Sequence, residues 1–158
     1  MKKGFTLIEL LAVIIILAIL MIIAVPNILN TLSTARKNAF RTQAESIYKA
    51  AEQQFTINSM SNKYVTCYSK TPTGTNAAYA TLDLGSLSNT VTYRVEVNAT
   101  NGQVVYIKVV DTGQGFSIEK GTSGGSTAVT INSIQDSSSN GTAITTGVTA
   151  SDIVECSD

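Results

Sequence analysis

Residues 1–30, MKKGFTLIEL LAVIIILAIL MIIAVPNILN, contain the longest apolar run of the chain. Between Phe5 and Val25 its only polar residues are Thr6 and Glu9. A helix rises about 1.5 Å per residue, so this segment is about 30 Å long, which is the thickness of the hydrocarbon core of a bilayer. A helix that is apolar on every face is typical of a membrane span or of a completely buried helix. We therefore expect a membrane-spanning or wholly buried N-terminal helix.

The residues around this segment separate three kinds of membrane-targeted sequence. A secretory signal ends in small residues at its cleavage site, which residues 22–26, IIAVP, fit poorly. A lipoprotein signal needs a cysteine directly after the apolar run, and none follows. A plain anchor explains the length but not Glu9, which has no partner nearby in the sequence and costs roughly 2.5–3.5 kcal/mol in a span. Lys2 and Lys3 precede the segment and favour a cytoplasmic N-terminus, with the rest of the chain outside.

The run Lys3-Gly4-Phe5-Thr6-Leu7-Ile8-Glu9, followed by the apolar segment and Pro26, closely resembles the N-terminus of type IV prepilins and pseudopilins. The resemblance covers the stretch quoted above. It implies that a membrane prepilin peptidase cuts between Gly4 and Phe5 and that the new amine of Phe5 is methylated. The mature chain then keeps its apolar segment, unlike an ordinary secreted protein.

The resemblance also implies a role for Glu9 in assembly. Cleavage after Gly4 creates a positively charged amine at Phe5, one helical turn from Glu9. In the family, the glutamate of an incoming subunit meets the terminal amine of its neighbour. A carboxylate that is costly alone and neutralised on correct docking would set the register of assembly. A snorkelling or protonated carboxyl near the membrane interface is the alternative.

Pro26 separates the apolar segment from an amphipathic one. Proline removes a helical hydrogen bond to the carbonyl of Ile22 and kinks or loosens the helix. Alternatively, Pro26 starts a new helix outside the membrane, since proline is favoured in a first turn. Beyond it, apolar residues recur every three or four positions up to about Asn58, where residues 58–62, NSMSN, indicate a stop.

The rest of the chain predicts a β-sheet head. Residues 91–97 alternate apolar and polar, residues 103–110 form a returning strand after an Asn-Gly turn, and residues 116–119 form a third strand. Residues 66–89 are expected to be a long connection, and the Ser/Thr-rich region from Gly121 onward short strands or ordered loops. The fold class is α+β, with a long N-terminal helix, hydrophobic then amphipathic, on a C-terminal antiparallel sheet, as in type IV pilins. The predicted divisions are a removed leader (1–4), a transmembrane and filament-core helix (5–25), an amphipathic helix half (26–58) and a globular β head with variable loops (59–158).

Cys67 and Cys156 are the two cysteines of the chain. Both lie outside the membrane in this arrangement, where oxidising conditions favour a disulfide. Such a bond would tie the near-terminal cysteine to the loop after the helix, and two free thiols are the alternative. Both cysteines of the well-known pilin disulfide lie in the C-terminal half, so the function of that bonded loop does not carry over.

Composition argues against an enzyme. The chain has no histidine, which removes the commonest general base and metal ligand, and it has no phosphate-binding glycine loop or metal motif. We therefore predict no catalytic residue, no metal and no cofactor. The net charge is zero, and the basic cluster at residues 36–41 is typical of a solvated or membrane-flanking helix face, so nucleic-acid binding has no direct support.

Together these patterns predict a structural subunit of a type IV pilus-like filament serving adhesion, motility, DNA uptake or secretion. The implied partners are copies of the chain in a helical filament, other pilin-like subunits, prepilin peptidase, a membrane assembly platform, and membrane lipid before assembly. The implied location is a single-pass cytoplasmic (inner) membrane protein with its head outside, and then an extracellular pilus or a periplasmic or cell-wall pseudopilus. A pseudopilin of a type II secretion or competence system is the nearer alternative. A single-pass, membrane-anchored extracellular binding protein is the alternative of another class.

Overall fold

The computed structural model describes residues 5–73, 76–85, 87–130, 144–148 and 155–156. The chain divides into two compact units, Met1–Asn38 and Ala39–Asp158, called the first and second unit below. One α-helix, α1, runs from Leu7 to Met60 and contributes residues to both.

The described part of the first unit has exposed side chains, apart from the half-buried Lys37. Leu17 and Ile19, near the middle of the apolar segment, are 50% and 55% exposed. The apolar part of α1 is entirely unburied, and α1 is long and apolar enough to cross a membrane. The apolar surface of this unit therefore has no partner within its described residues.

In the second unit, α1 buries one face. Phe40, Ala44, Ile47 and Ala51, spaced three or four residues apart, are buried as their periodicity predicts. Tyr48 joins them; its hydroxyl donates to the carbonyl oxygen of residue 129, at 2.7 Å. This face forms a common core with the sheet.

The helix ends where the polar run predicts. Asn62 adopts a left-handed conformation with φ of 56°. The N–H of Lys63 donates to the carbonyl of Asn58 at 2.9 Å, and that of Asn62 to the carbonyl of Ser59 at 3.1 Å. These two bonds form a Schellman cap, in which asparagine takes the left-handed position that usually requires glycine.

The described strands form one six-stranded sheet. The strands are β1 (Cys67–Ser69), β2 (Tyr79–Ala80), β3 (Val91–Val97), β4 (Val104–Asp111), β5 (Phe116–Gly121) and β6 (Thr145–Thr146). Their order is β2-β1-β3-β4-β5-β6, with β1 and β2 parallel and every other pair antiparallel. The α+β prediction, with a mostly antiparallel sheet, is confirmed.

Strands β3, β4 and β5 match the three predicted strands closely, whereas β1 and β2 lie inside the predicted long connection. The two missed strands have three and two residues, too few for an alternating pattern to show in the sequence. Residues 131–143 and 149–154 of the Ser/Thr-rich region lie outside the described residues.

Valine dominates the core between α1 and the sheet. Val91, Val95 and Val109 are completely buried, and the rings of Phe40 and Phe116 lie 5.8 Å apart. β-branched side chains suit this position because they pack well on a pleated surface. The second unit therefore buries most of its described apolar side chains, with Ile57, Met60 and Tyr64 as exposed exceptions.

Candidate processing and assembly site

The predicted cleavage position lies at the boundary of the described residues. Gly4 is outside them, and Phe5 is the first residue described, with a side chain 77% exposed. Phe5 and Thr6 precede the helix, which begins at Leu7. The proposed new N-terminus therefore lies directly ahead of the first helical turn.

Glu9 has a hydrogen-bond partner three residues away in the sequence. Oε2 of Glu9 accepts hydrogen bonds from the backbone N–H of Thr6 at 2.9 Å and from its hydroxyl at 2.7 Å. The Oγ1 of Thr6 accepts a longer bond from the N–H of Glu9, at 3.4 Å. This is a capping box, and the T-x-x-E spacing was its signal in the sequence. The expectation that Glu9 lacks a nearby partner was wrong.

The capping box leaves half of the Glu9 carboxylate available. Both bonds from Thr6 end on Oε2, and no described residue donates a hydrogen bond to Oε1. A carboxylate accepts up to about four hydrogen bonds on its two oxygens. Glu9 can therefore hold Thr6 and receive a second, charged donor at the same time.

Pro26 lies inside α1, so its ring interrupts the hydrogen-bond ladder within a continuous helix. Polar side chains just beyond it bond to helix carbonyls. The hydroxyl of Thr31 donates to the carbonyl of Asn27 at 2.9 Å, and that of Thr34 to the carbonyl of Asn30 at 3.0 Å. These side chains satisfy their own donors and add no charge to the exposed surface of the first unit.

Cys67 and Cys156 form a disulfide in the structure, with their Cα atoms 6.0 Å apart. Polar contacts hold the same C-terminal residues. The N–H of Thr73 donates to the carbonyl of Cys156 at 3.0 Å, and the hydroxyl of Thr71 bonds to the carboxylate of Glu155. The described C-terminal residues are thus attached to the chain around β1.

A partly buried ion pair on β3 was not found from the sequence. Arg94 and Glu96 pair at 2.6 Å, and Arg94 also donates to the carbonyl of Glu155 at 3.1 Å. Glu96 accepts bonds from the Ser123 hydroxyl at 2.6 Å and from the Gly124 N–H at 2.7 Å. Burial alone would raise the pKa of Glu96, but these hydrogen bonds and Arg94 hold the pKa below its usual value. This centre joins β3, the loop after β5 and the C-terminal residues.

Buried tyrosines in the described part of the second unit have raised pKa values. Burial and the neighbouring carboxylate of Glu52 raise the pKa of Tyr48 to about 12, and burial raises the pKa values of Tyr68 and Tyr93. Among the described residues, no group of three or more His, Cys, Asp or Glu is placed to hold a metal ion.

Comparison with known proteins finds one family. Residues 1–25 match the family model described as the prokaryotic N-terminal methylation motif. No curated protein and no solved structure matches the chain. The chain therefore carries a prepilin-type N-terminal cleavage and methylation motif at residues 1–25, on a pilin-like α+β fold.

Proposed function

We propose that this protein is a structural subunit of a type IV pilus-like filament. The observation that carries the proposal is the methylation motif followed by a helix segment whose apolar side chains are exposed. Lipid covers such a surface before assembly, and copies of the same segment cover it in a filament. Pilin-like proteins are typically structural, and the proposed role needs no catalytic residue.

Processing prepares the N-terminus for this role. Hydrolysis of the Gly4–Phe5 peptide bond releases residues 1–4 and leaves an amine on Phe5, which prepilin peptidase then methylates. The backbone N–H and hydroxyl of Thr6 survive the cut, so the capping box on Oε2 of Glu9 persists. The other carboxylate oxygen of Glu9, Oε1, then accepts a hydrogen bond from the charged amine of a neighbouring subunit. A correctly placed neighbour neutralises the carboxylate, which sets the register.

The partners of the proposed role follow from the same steps. They are copies of this chain, other pilin-like subunits, the peptidase and a membrane assembly platform. Before assembly the first unit is anchored in the cytoplasmic membrane with the second unit outside, as the Lys2 and Lys3 flank favours. After assembly the second unit lies on the surface of the fibre.

The test is the intact mass and N-terminal sequence of the subunit in filaments sheared from cells. An abundant chain that begins at methylated Phe5 is the expected result. A chain processed at Phe5 but scarce in or missing from the sheared material would instead point to a minor pilin or to a pseudopilin of a secretion or competence system. A chain that keeps residues 1–4 in the membrane, in cells with active peptidase, would refute the proposal and leave a membrane-anchored extracellular binding protein.

A further inference from the structure

Lys70, directly after β1, makes an unusual set of contacts. Its Nζ donates hydrogen bonds to the carbonyl oxygens of Ser88 at 2.9 Å, Asn89 at 3.2 Å and Val91 at 2.9 Å. We call these three oxygens the carbonyl cage. An ammonium group has three donors, so the cage uses all of them.

Carbonyl dipoles hold the Lys70 charge without a carboxylate. Asp83 lines the same cavity of about 210 Å³ as Lys70, yet the described residues include no ion pair between them. Backbone carbonyl oxygens that converge on one positive charge are the arrangement by which proteins bind desolvated cations such as K⁺. The cage therefore has the chemistry of a cation site.

The cage lies where two central strands meet a turn. Val91 is the first residue of β3, and Ser69, the last of β1, pairs with Arg94 of β3. Lys70 thus connects the end of β1 to the start of β3. The N–H of Val91 also donates to the carbonyl of Ser88, at 3.1 Å. Without a positive charge here, the three carbonyl oxygens would lose their Lys70 donor, and their convergence would destabilise the turn.

We propose that the carbonyl cage is a cation site and that Lys70 is its built-in cation. Distances of 2.9–3.2 Å from the nitrogen to the oxygens fit an ammonium group or K⁺, and they exceed the distances of about 2.3–2.6 Å that Ca²⁺ requires. When the ammonium group is removed, the vacated cage takes up NH₄⁺ or K⁺ from solution. Because Lys70 always occupies the cage in the native protein, the stability of the turn does not depend on the cations in solution. This inference does not depend on the proposed function.

The test uses Lys70→Met in the full-length chain in detergent micelles. Methionine keeps an unbranched apolar stem and removes the ammonium group. Thermal unfolding is followed by tyrosine fluorescence, because all six tyrosines lie in the second unit and the chain has no tryptophan. We expect the Tm of the variant in LiCl to fall by about 4–8 °C. NH₄Cl or KCl at the same ionic strength should restore at least half of the loss, and the wild-type Tm should not depend on the cation.

Lys108→Met is the matched control. Lys108 pairs with the carboxylate of Glu119 at 3.3 Å, so its loss removes one positive charge from the same sheet without opening a carbonyl cage. Its Tm should not differ among LiCl, KCl and NH₄Cl.

Three results would overturn the proposal. They are an unchanged Tm of Lys70→Met in LiCl, a lowered Tm that NH₄Cl and KCl do not restore, or the same restoration in Lys108→Met. If Lys70→Met does not fold in LiCl, it is refolded in NH₄Cl. Recovery there supports the cation site, and failure in every salt contradicts it.

Discussion

The two parts of α1 use similar residues in opposite ways. In the first unit, isoleucine and leucine side chains are exposed, with Ile19 at 55%. In the second unit, Ile47 of the same helix is completely buried against the sheet. A helix buries apolar surface wherever a partner is present, and the fold supplies one from Phe40 onward. The described residues supply no partner for the apolar surface of the first unit, and under the proposed function lipid or other subunits cover it.

The largest expected change in stability follows from removing the disulfide of the second unit. Replacing both Cys67 and Cys156 by serine should lower the free energy of unfolding of the second unit by about 2–5 kcal/mol, because the bond closes a long chain segment. Urea unfolding of the full-length chain in micelles, followed by tyrosine fluorescence, measures the loss. A change below about 0.5 kcal/mol, which is typical of neutral surface substitutions, would show that the bond does not stabilise the unit.

A matched pair of substitutions in one helix tests the comparison directly. Ile47→Ala should cost about 2–5 kcal/mol, because it leaves a cavity in the core of the second unit. Ile19→Ala should leave the tyrosine-detected unfolding unchanged, because its side chain is exposed in the first unit and all tyrosines lie in the second. Equal losses of unfolding free energy in the two variants would contradict this difference between the two units.

Substitutions at two glycines of the second unit distinguish the cost of backbone strain from the cost of a steric clash. Gly121, with φ of 86°, would place a Cβ 2.0 Å from the carbonyl oxygen of Val105, and backbone cannot rotate away as a side chain can. Gly124, with φ of 71°, has no atom within 4 Å of that position. Gly124→Ala should cost about 1 kcal/mol from strain, and Gly121→Ala at least about 1–3 kcal/mol more. Similar Tm values for both would contradict this packing.

The smallest expected effect concerns acid stability at Glu96. Its pKa is lower in the folded chain, so its stabilising effect is complete above the ordinary value of 4.5 and disappears as the pH falls through the lower, folded value. Glu96→Gln should reduce stability at neutral pH, and its stability should then depend less on pH in the acid range than that of the wild type. Denaturation curves of both proteins at several pH values measure this difference. If the unfolding free energies of wild type and variant change with pH in parallel, the ion pair is not the cause of the acid sensitivity.

Periodicity predicted the elements that are long enough to show it. Residues 91–97 alternate over seven positions and form β3, and the apolar face of α1 from Phe40 follows a helical repeat. Strands β1 and β2 escaped prediction because three and two residues carry no readable period. Their positions depend on pairing with β3 and with each other, which is a tertiary effect.

The candidate site was predictable in its local parts and not in its distant ones. The capping box of Thr6 and Glu9 was readable from a spacing of three residues, although we interpreted Glu9 as isolated. The contacts of Arg94 with Ser123 and Glu155 join residues that are 29 and 61 positions apart, and no local pattern encodes such a meeting. The carbonyl cage is invisible in sequence because its ligands are backbone atoms.

In a filament, copies of this chain should cover the apolar surface of the first unit. A photoreactive side chain at Ile19, activated in cells that make filaments, tests this, and the same group at exposed Thr56 is the control. We expect adducts between two copies of the chain from Ile19, through residues of their first units. Adducts from Ile19 to lipid alone, in assembled filaments, would contradict it.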